Sequence, residues 1–165
     1  LSYGGSWETA FNSLRTEFPE VRASEIEEVF HRIQRSFPRW MAWRNEVAAE
    51  GRKRGYLRSP ILGRRRYFRG GKLTEMLNYL PQSLASDVLH TGMLKLWEII
   101  QRDWPAWHIL CEIHDAVLLE IPEADTDACR DLLAAVLPGP YAIRGVQEPV
   151  MFPFDIKVGR TWADV

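Results

Sequence analysis

The residues best suited to chemistry are His114 and Asp115, which sit between two short apolar runs, 108–113 and 117–121. A carboxylate between such runs is expected to lie beside a buried sheet, where an ionised group is costly without a partner. Mg²⁺ is the partner its chemistry suits. That ion takes oxygen ligands, commonly one or two carboxylates with phosphates and water completing the shell. Asp also begins tight turns for purely structural reasons, so spacing alone leaves both readings open. His114 could be a metal ligand, an acid–base group or a donor to a nucleotide, and a lone strand histidine is more often a hydrogen-bonded structural residue. Adjacent strand residues point to opposite faces, so His114 need not share a metal with Asp115.

A second chemical signal is basic. Between Glu50 and Lys72 stand Arg52, Lys53, Arg54, Arg58, Arg64, Arg65, Arg66, Arg69 and Lys72, with Glu50 the only acid. The whole chain carries a formal charge of only −1, so the positive charge is local rather than global. Charge runs are often solvated faces, but guanidinium forks match phosphate oxygens. Here Tyr56, Tyr67 and Phe68 are interleaved with them, a pattern that suits a nucleic-acid backbone. Asn78 and Gln82, four apart, share one face of a helix and offer amides that both donate and accept. Such side chains can be ordinary half-exposed positions, or can read the minor-groove acceptors that every base pair presents.

The elements that must position these residues are mostly helical. The 165 residues, 46% of them apolar, are enough to bury a core, and no stretch approaches the roughly 20 apolar residues of a membrane helix. The patterning predicts helices over 7–18, from a capping box at Ser24 and Glu27 onward, over 38–51, over 73–102 with a local bend at Pro81, and over 125–136. It predicts a basic hairpin over 55–67, two strands meeting at 114–116, and a last strand over 154–158. Cys111 and Cys129 have no metal-ligand spacing, so neither a zinc site nor a disulfide framework is expected. A reducing cytoplasm is the default setting for such cysteines.

Taken in order, Tyr3-Gly4, Ser36-Phe37-Pro38, Gly55-Tyr56, Gly63-Arg64-Arg65-Arg66-Tyr67, Asn78 with Gln82-Ser83, Ile113-His114-Asp115 and Glu120 resemble the C-terminal part of the polymerase domain of family A DNA polymerases. The resemblance extends to Lys157-Val158-Gly159 and Trp162, and so covers essentially the whole chain. It implies an α+β fold, with long helices packed on a small antiparallel palm sheet as part of a right-hand polymerase. Residues 1–54 would be distal fingers helices, and 55–165 a palm portion with the basic hairpin, the long helix and the His-Asp hairpin.

By the same resemblance Asp115 is the metal-binding catalytic aspartate and His114 contacts the primer terminus. Asn78 and Gln82 lie against the minor groove, Tyr3 stands beside the template base, and Arg64, Arg65 and Arg66 face the DNA backbone. The implied reaction is template-directed addition of deoxynucleotides to a primer 3′-end with two Mg²⁺ ions, or Mn²⁺ in their place, on primer–template DNA with dNTP. This sequence departs from the pattern at Ala116, where Glu is usual, and at Thr74, where Arg is common. The triphosphate-binding helix and the first catalytic aspartate would precede Tyr3, so an N-terminal polypeptide carrying them is an expected partner. Two alternatives stand beside this reading: a non-catalytic DNA-binding module, and the related palm of a single-subunit RNA polymerase.

Overall fold

A computed structural model describes residues 6–164, which fall into two compact units, 6–59 with 64–81, and 60–63 with 82–164. In the first unit, α1 (Trp7–Glu17) is capped by the Ser6 hydroxyl, which accepts from the Thr9 N–H at 3.4 Å. Helix α2 (Ala23–Ser36) starts slightly before the expected Ser24 box. The Arg22 N–H donates instead to Glu25 Oε2 at 3.0 Å, and this closes the first turn. Pro38 opens α3 (Pro38–Arg54), as its fixed φ and missing N–H favour. Gly55, at φ 71°, ends it in the left-handed conformation. Strands β1 (Tyr56–Arg58) and β2 (Arg65–Tyr67) then pair antiparallel, with Leu57 opposite Arg66.

The core of this unit is Val47, Leu57, Phe68, Met76, Leu77 and Tyr79. Gly51 lies inside α3, where glycine weakens a helix. A Cβ there would stand 2.6 Å from Met76 Sδ, so α3 can approach the start of α4 only because Gly51 has no side chain.

Helix α4 (Leu73–Asp103) continues through Pro81. Its later turns form the second unit with β3 (His108–Ile113), β4 (Ala116–Glu120) and α5 (Thr126–Val136). Leu96 and Ile100 of α4, Trp107, Cys129, Leu133 and Leu137 make its core, with Ile109 and Leu119 packed against them. Trp107 Nε1 donates to Asp125 Oδ2 at 2.9 Å, so the buried indole keeps a polar partner. Both cysteines are free, and burial, then the charge of Asp125, pushes the Cys129 thiol up, as expected of an inert core cysteine.

The expected last strand is absent. Residues 154–158 form no ladder, although Phe152, Phe154 and Ile156 alternate inward with exposed neighbours. The period-two pattern is therefore real, but it serves side-chain packing against the core. Pro153 has no N–H to give a ladder, and the only pairing nearby is the Tyr141–Val150 bridge. No helix among the described residues is long and apolar enough to cross a membrane.

Two features fix the loops that matter. Asp87 of α4 is fully buried, and its Oδ2 accepts the N–H groups of Ile61 at 3.0 Å and Leu62 at 2.9 Å. It thereby organises the 60–63 loop, where the Arg144 N–H also donates to the Pro60 carbonyl at 3.0 Å. Strands β3 and β4 pair antiparallel with Ile113 opposite Ala116, so His114 and Asp115 are a two-residue hairpin turn. His114 has φ 58°, the left-handed value that such turns demand at their first position.

Asp87→Ala is expected to destabilise the chain by about 2 kcal/mol, because two loop N–H groups lose a charged acceptor; the midpoint of urea unfolding reads this directly. His114→Gly should be neutral or stabilising, and His114→Val destabilising by about 1 kcal/mol, because a β-branched residue resists positive φ; thermal melts of the two variants check the order.

Candidate functional site

The turn between β3 and β4 projects His114 and Asp115 from the end of a hairpin, and both are exposed. This corrects the expectation of a carboxylate beside a buried sheet. Strand β3 buries only one face, with Ile109 and Cys111 turned inward and Leu110 and Glu112 outward, and Leu110 is bulged out of register. The carboxylate therefore keeps its hydration and needs no protein partner. Neither His114 nor Asp115 makes a hydrogen bond or ion pair with any described residue. Because both occupy a turn rather than a strand, the alternating-face argument does not apply to them.

The hairpin is anchored behind the turn. Glu112 Oε2 lies 2.8 Å from His90 Nε2, and His90 Nδ1 lies 3.3 Å from Ser86 Oγ, so α4 holds β3 through a polar chain. Sequence reasoning missed this pair. Its only signal was the i, i+4 spacing of Ser86 and His90.

As a metal ligand Asp115 fits Mg²⁺ in kind, because it offers a free, hard carboxylate. It does not fit in number. Among the described residues no three His, Cys, Asp or Glu side chains group closely enough to hold an ion.

The basic hairpin of the first unit presents Arg64, Arg65 and Arg66, all exposed. Ser59 closes its base, donating its N–H to the Arg64 carbonyl at 2.8 Å and accepting the Arg64 N–H on its hydroxyl at 3.0 Å. The Tyr79 hydroxyl donates to the same carbonyl at 2.9 Å. Arg65 stands opposite Arg58 in register, and both guanidinium groups lie over Tyr56, at 5.0 and 5.9 Å from the ring centroid. Like charges directly opposed across a ladder are unfavourable, and the aromatic face offsets part of that cost. Arg66 lies 5.6 Å from Phe68 and 5.7 Å from Tyr79. The Tyr67 hydroxyl, then the Tyr56 phenol, hold the Arg65 guanidinium even more firmly protonated than usual. The result is a fixed row of cations with aromatic backing, suited to phosphates.

Asn78 and Gln82 are one turn apart on α4. Asn78 is half-buried, and its Oδ1 has no hydrogen-bond partner despite being buried, so the amide has unused capacity. Gln82 is exposed. Tyr3 lies outside the described residues.

The comparisons agree with one another. The chain is 29% identical over 150 residues to the thermostable DNA polymerase I of Thermus filiformis, covering 85% of this chain and 17% of that protein. It is 26% identical over 148 residues to the DNA polymerase I A, chloroplastic/mitochondrial, of Arabidopsis thaliana, covering 85% of this chain and 14% of that one. The fold is similar to the POL domain of Pol1 from M. smegmatis, solved in complex with DNA primer-template and dNTP. The TM-score is 0.71 at 22% identity, over 86% of this chain and 26% of that one. The chain thus spans less than a fifth of the length of these two relatives. The α+β architecture is that of a polymerase domain. The description DNA polymerase family A matches residues 1–164, essentially from end to end, and it is to that family that this chain belongs.

Proposed function

We propose that this chain is the C-terminal part of a template-directed DNA polymerase that extends a primer 3′-end with dNTP. Helices over 1–54 serve as distal fingers and 55–165 as part of the palm. The observation that carries the proposal is Asp115, exposed on a two-residue turn with its carboxylate unengaged and His114 beside it. A carboxylate so placed is free to bind an ion between protein and phosphate.

The roles of the chain's own residues follow. Asp115 holds Mg²⁺, or Mn²⁺ in its place. His114, aimed from the same turn, contacts the primer terminus and orients its 3′-hydroxyl. Asn78 and Gln82 donate amide N–H groups to the minor-groove acceptors near the nascent pair. Arg64, Arg65 and Arg66 fix the duplex by its phosphates without reading sequence, and Tyr3 stands beside the template base. Ions held there would supply charge neutralisation at the reacting phosphate and at the leaving pyrophosphate.

One carboxylate is too few for two ions, and Ala116 adds none. The remaining ligands, with the groups that grip the triphosphate, come from an N-terminal polypeptide. The family match favours the DNA enzymes over the single-subunit RNA polymerases. The same shortage of carboxylates favours a second reading, DNA binding without catalysis, in which the arginine row acts alone. We place the activity in the cytoplasm of a bacterial or phage-infected cell, the setting that bacterial relatives suggest.

Primer-extension assays should show no incorporation by the chain alone and incorporation once the N-terminal polypeptide is added. In that completed enzyme Asp115→Asn should lower incorporation by several orders of magnitude with DNA affinity nearly unchanged; full activity in the variant would remove Asp115 from the mechanism. Replacing both Arg65 and Arg66 by Ala should weaken duplex binding equally for all sequences and reduce the slope of log K against log salt by roughly 2, measured by fluorescence anisotropy over a salt series.

A further inference from the structure

The hairpin that carries His114 and Asp115 is held unevenly. Ile109 of β3 and Leu119 of β4, with Ile121 just beyond, pack against the core of the second unit, and all three lie at the end away from the turn. Among the described residues none of 110–118 belongs to that core. A bulge between Ile109 and Cys111 interrupts the ladder where the packed part ends. A two-stranded ribbon is only marginally stable by itself. From Ile109 to Asp115 the strand reaches roughly 20 Å, so a pivot of about 5° at the core end moves the carboxylate by about 2 Å.

A polar contact reaches the unpacked part. Glu112, three residues before Asp115, places Oε2 2.8 Å from Nε2 of His90 on α4. A bond between a ring nitrogen and a carboxylate needs the proton on the nitrogen, and it is strengthened by the carboxylate's charge. The other ring nitrogen, Nδ1, lies 3.3 Å from the Ser86 hydroxyl, which can donate or accept. A neutral ring accepts there and a cationic ring donates, so the tie to Glu112 holds in either state. The His90 and Glu112 side chains are 34% and 31% exposed, and water competes for the bond less than at an open surface.

We propose that His90 is a positioning residue for primer extension: through Glu112 it fixes the turn end of the β3–β4 hairpin, and so sets where Asp115 and His114 meet the reacting groups. The proposal rests on the assignment of Asp115 to the metal and His114 to the primer end. Gln82, Ser86 and His90 follow one another at four-residue steps along α4, so the helix face that steadies the hairpin also carries a residue assigned to the nascent pair. The groups that grip the triphosphate lie on the N-terminal polypeptide. Loss of the tie therefore slows the chemical step and leaves nucleotide binding alone.

The test uses the enzyme completed by its N-terminal polypeptide, with incorporation kinetics and amide hydrogen exchange read on the same protein. His90→Leu and Glu112→Leu should each lower kcat by about tenfold or more, while KM for dNTP stays within about twofold. The double variant should be no slower than the slower single one, because both changes remove the same tie. His90→Gln, whose amide N–H can still donate to Glu112, should recover most of kcat. Exchange should quicken over 111–118 in the leucine variants and stay unchanged in α5. With an active parent, leucine variants that match its kcat, losses that multiply in the double variant, or a His90→Gln as slow as His90→Leu would each overturn the proposal. Faster exchange in α5 as well would make the pair a general support of the fold, and overturn it too. A completed parent that incorporates nothing removes the polymerase reading itself, and this assignment with it.

Discussion

A buried carboxylate is the constraint around which the second unit is arranged. Asp87 is fully enclosed, and ionised carboxylates are tolerated inside proteins only when their oxygens are occupied. Here two successive loop N–H groups, from Ile61 and Leu62, supply that occupation through one oxygen. The requirement is mutual. The loop has no ladder of its own at 60–63, and its amides would otherwise need water. Anchoring the loop satisfies the backbone of a segment that has no regular structure.

Much of the architecture was legible because its signals are local. Apolar spacing along α2, Pro38 at the first turn of α3, and Gly55 at its end each act within a turn of helix, and each helix formed nearly as its pattern required. The basic hairpin was legible for the same reason. What failed were inferences about distant partners. The 154–158 alternation was genuine, yet nothing in a sequence says whether an alternating segment finds a neighbouring strand or only a core to lie on. The apolar runs around Asp115 suggested a carboxylate beside a buried sheet, but one face of β3 is open. Asp87 and the Glu112–His90 pair were invisible because their partners stand 22 or more residues away.

The groups read as functional share a physical trait. Asp115, His114 and the three arginines are exposed, and Asn78 Oδ1 is buried without a partner. Polar groups that serve only the fold are saturated by it, as Ser59, Asp87 and Trp107 are. Residue type does not separate the two sets, since Asp115 is exposed and Asp87 is buried and bonded. The arginines also lean on aromatic rings. The faces of Tyr56, Phe68 and Tyr79 steady the cations without neutralising them, which an acidic partner would do.

The left-handed backbone at His114 bears on how its identity should be weighed. Outside glycine, residues that accept positive φ readily are few, chiefly Asn, Asp and His. The turn alone therefore shortens the list of tolerable side chains before any contact with a substrate is considered, and histidine is on that list. Two independent demands converge on one residue, one from the peptide torsion and one from the chemistry proposed for the ring. A histidine recurring at this place in other chains would then be weaker testimony for a primer contact than it looks, whereas the adjacent aspartate, which has no such torsional excuse, would be the stronger witness.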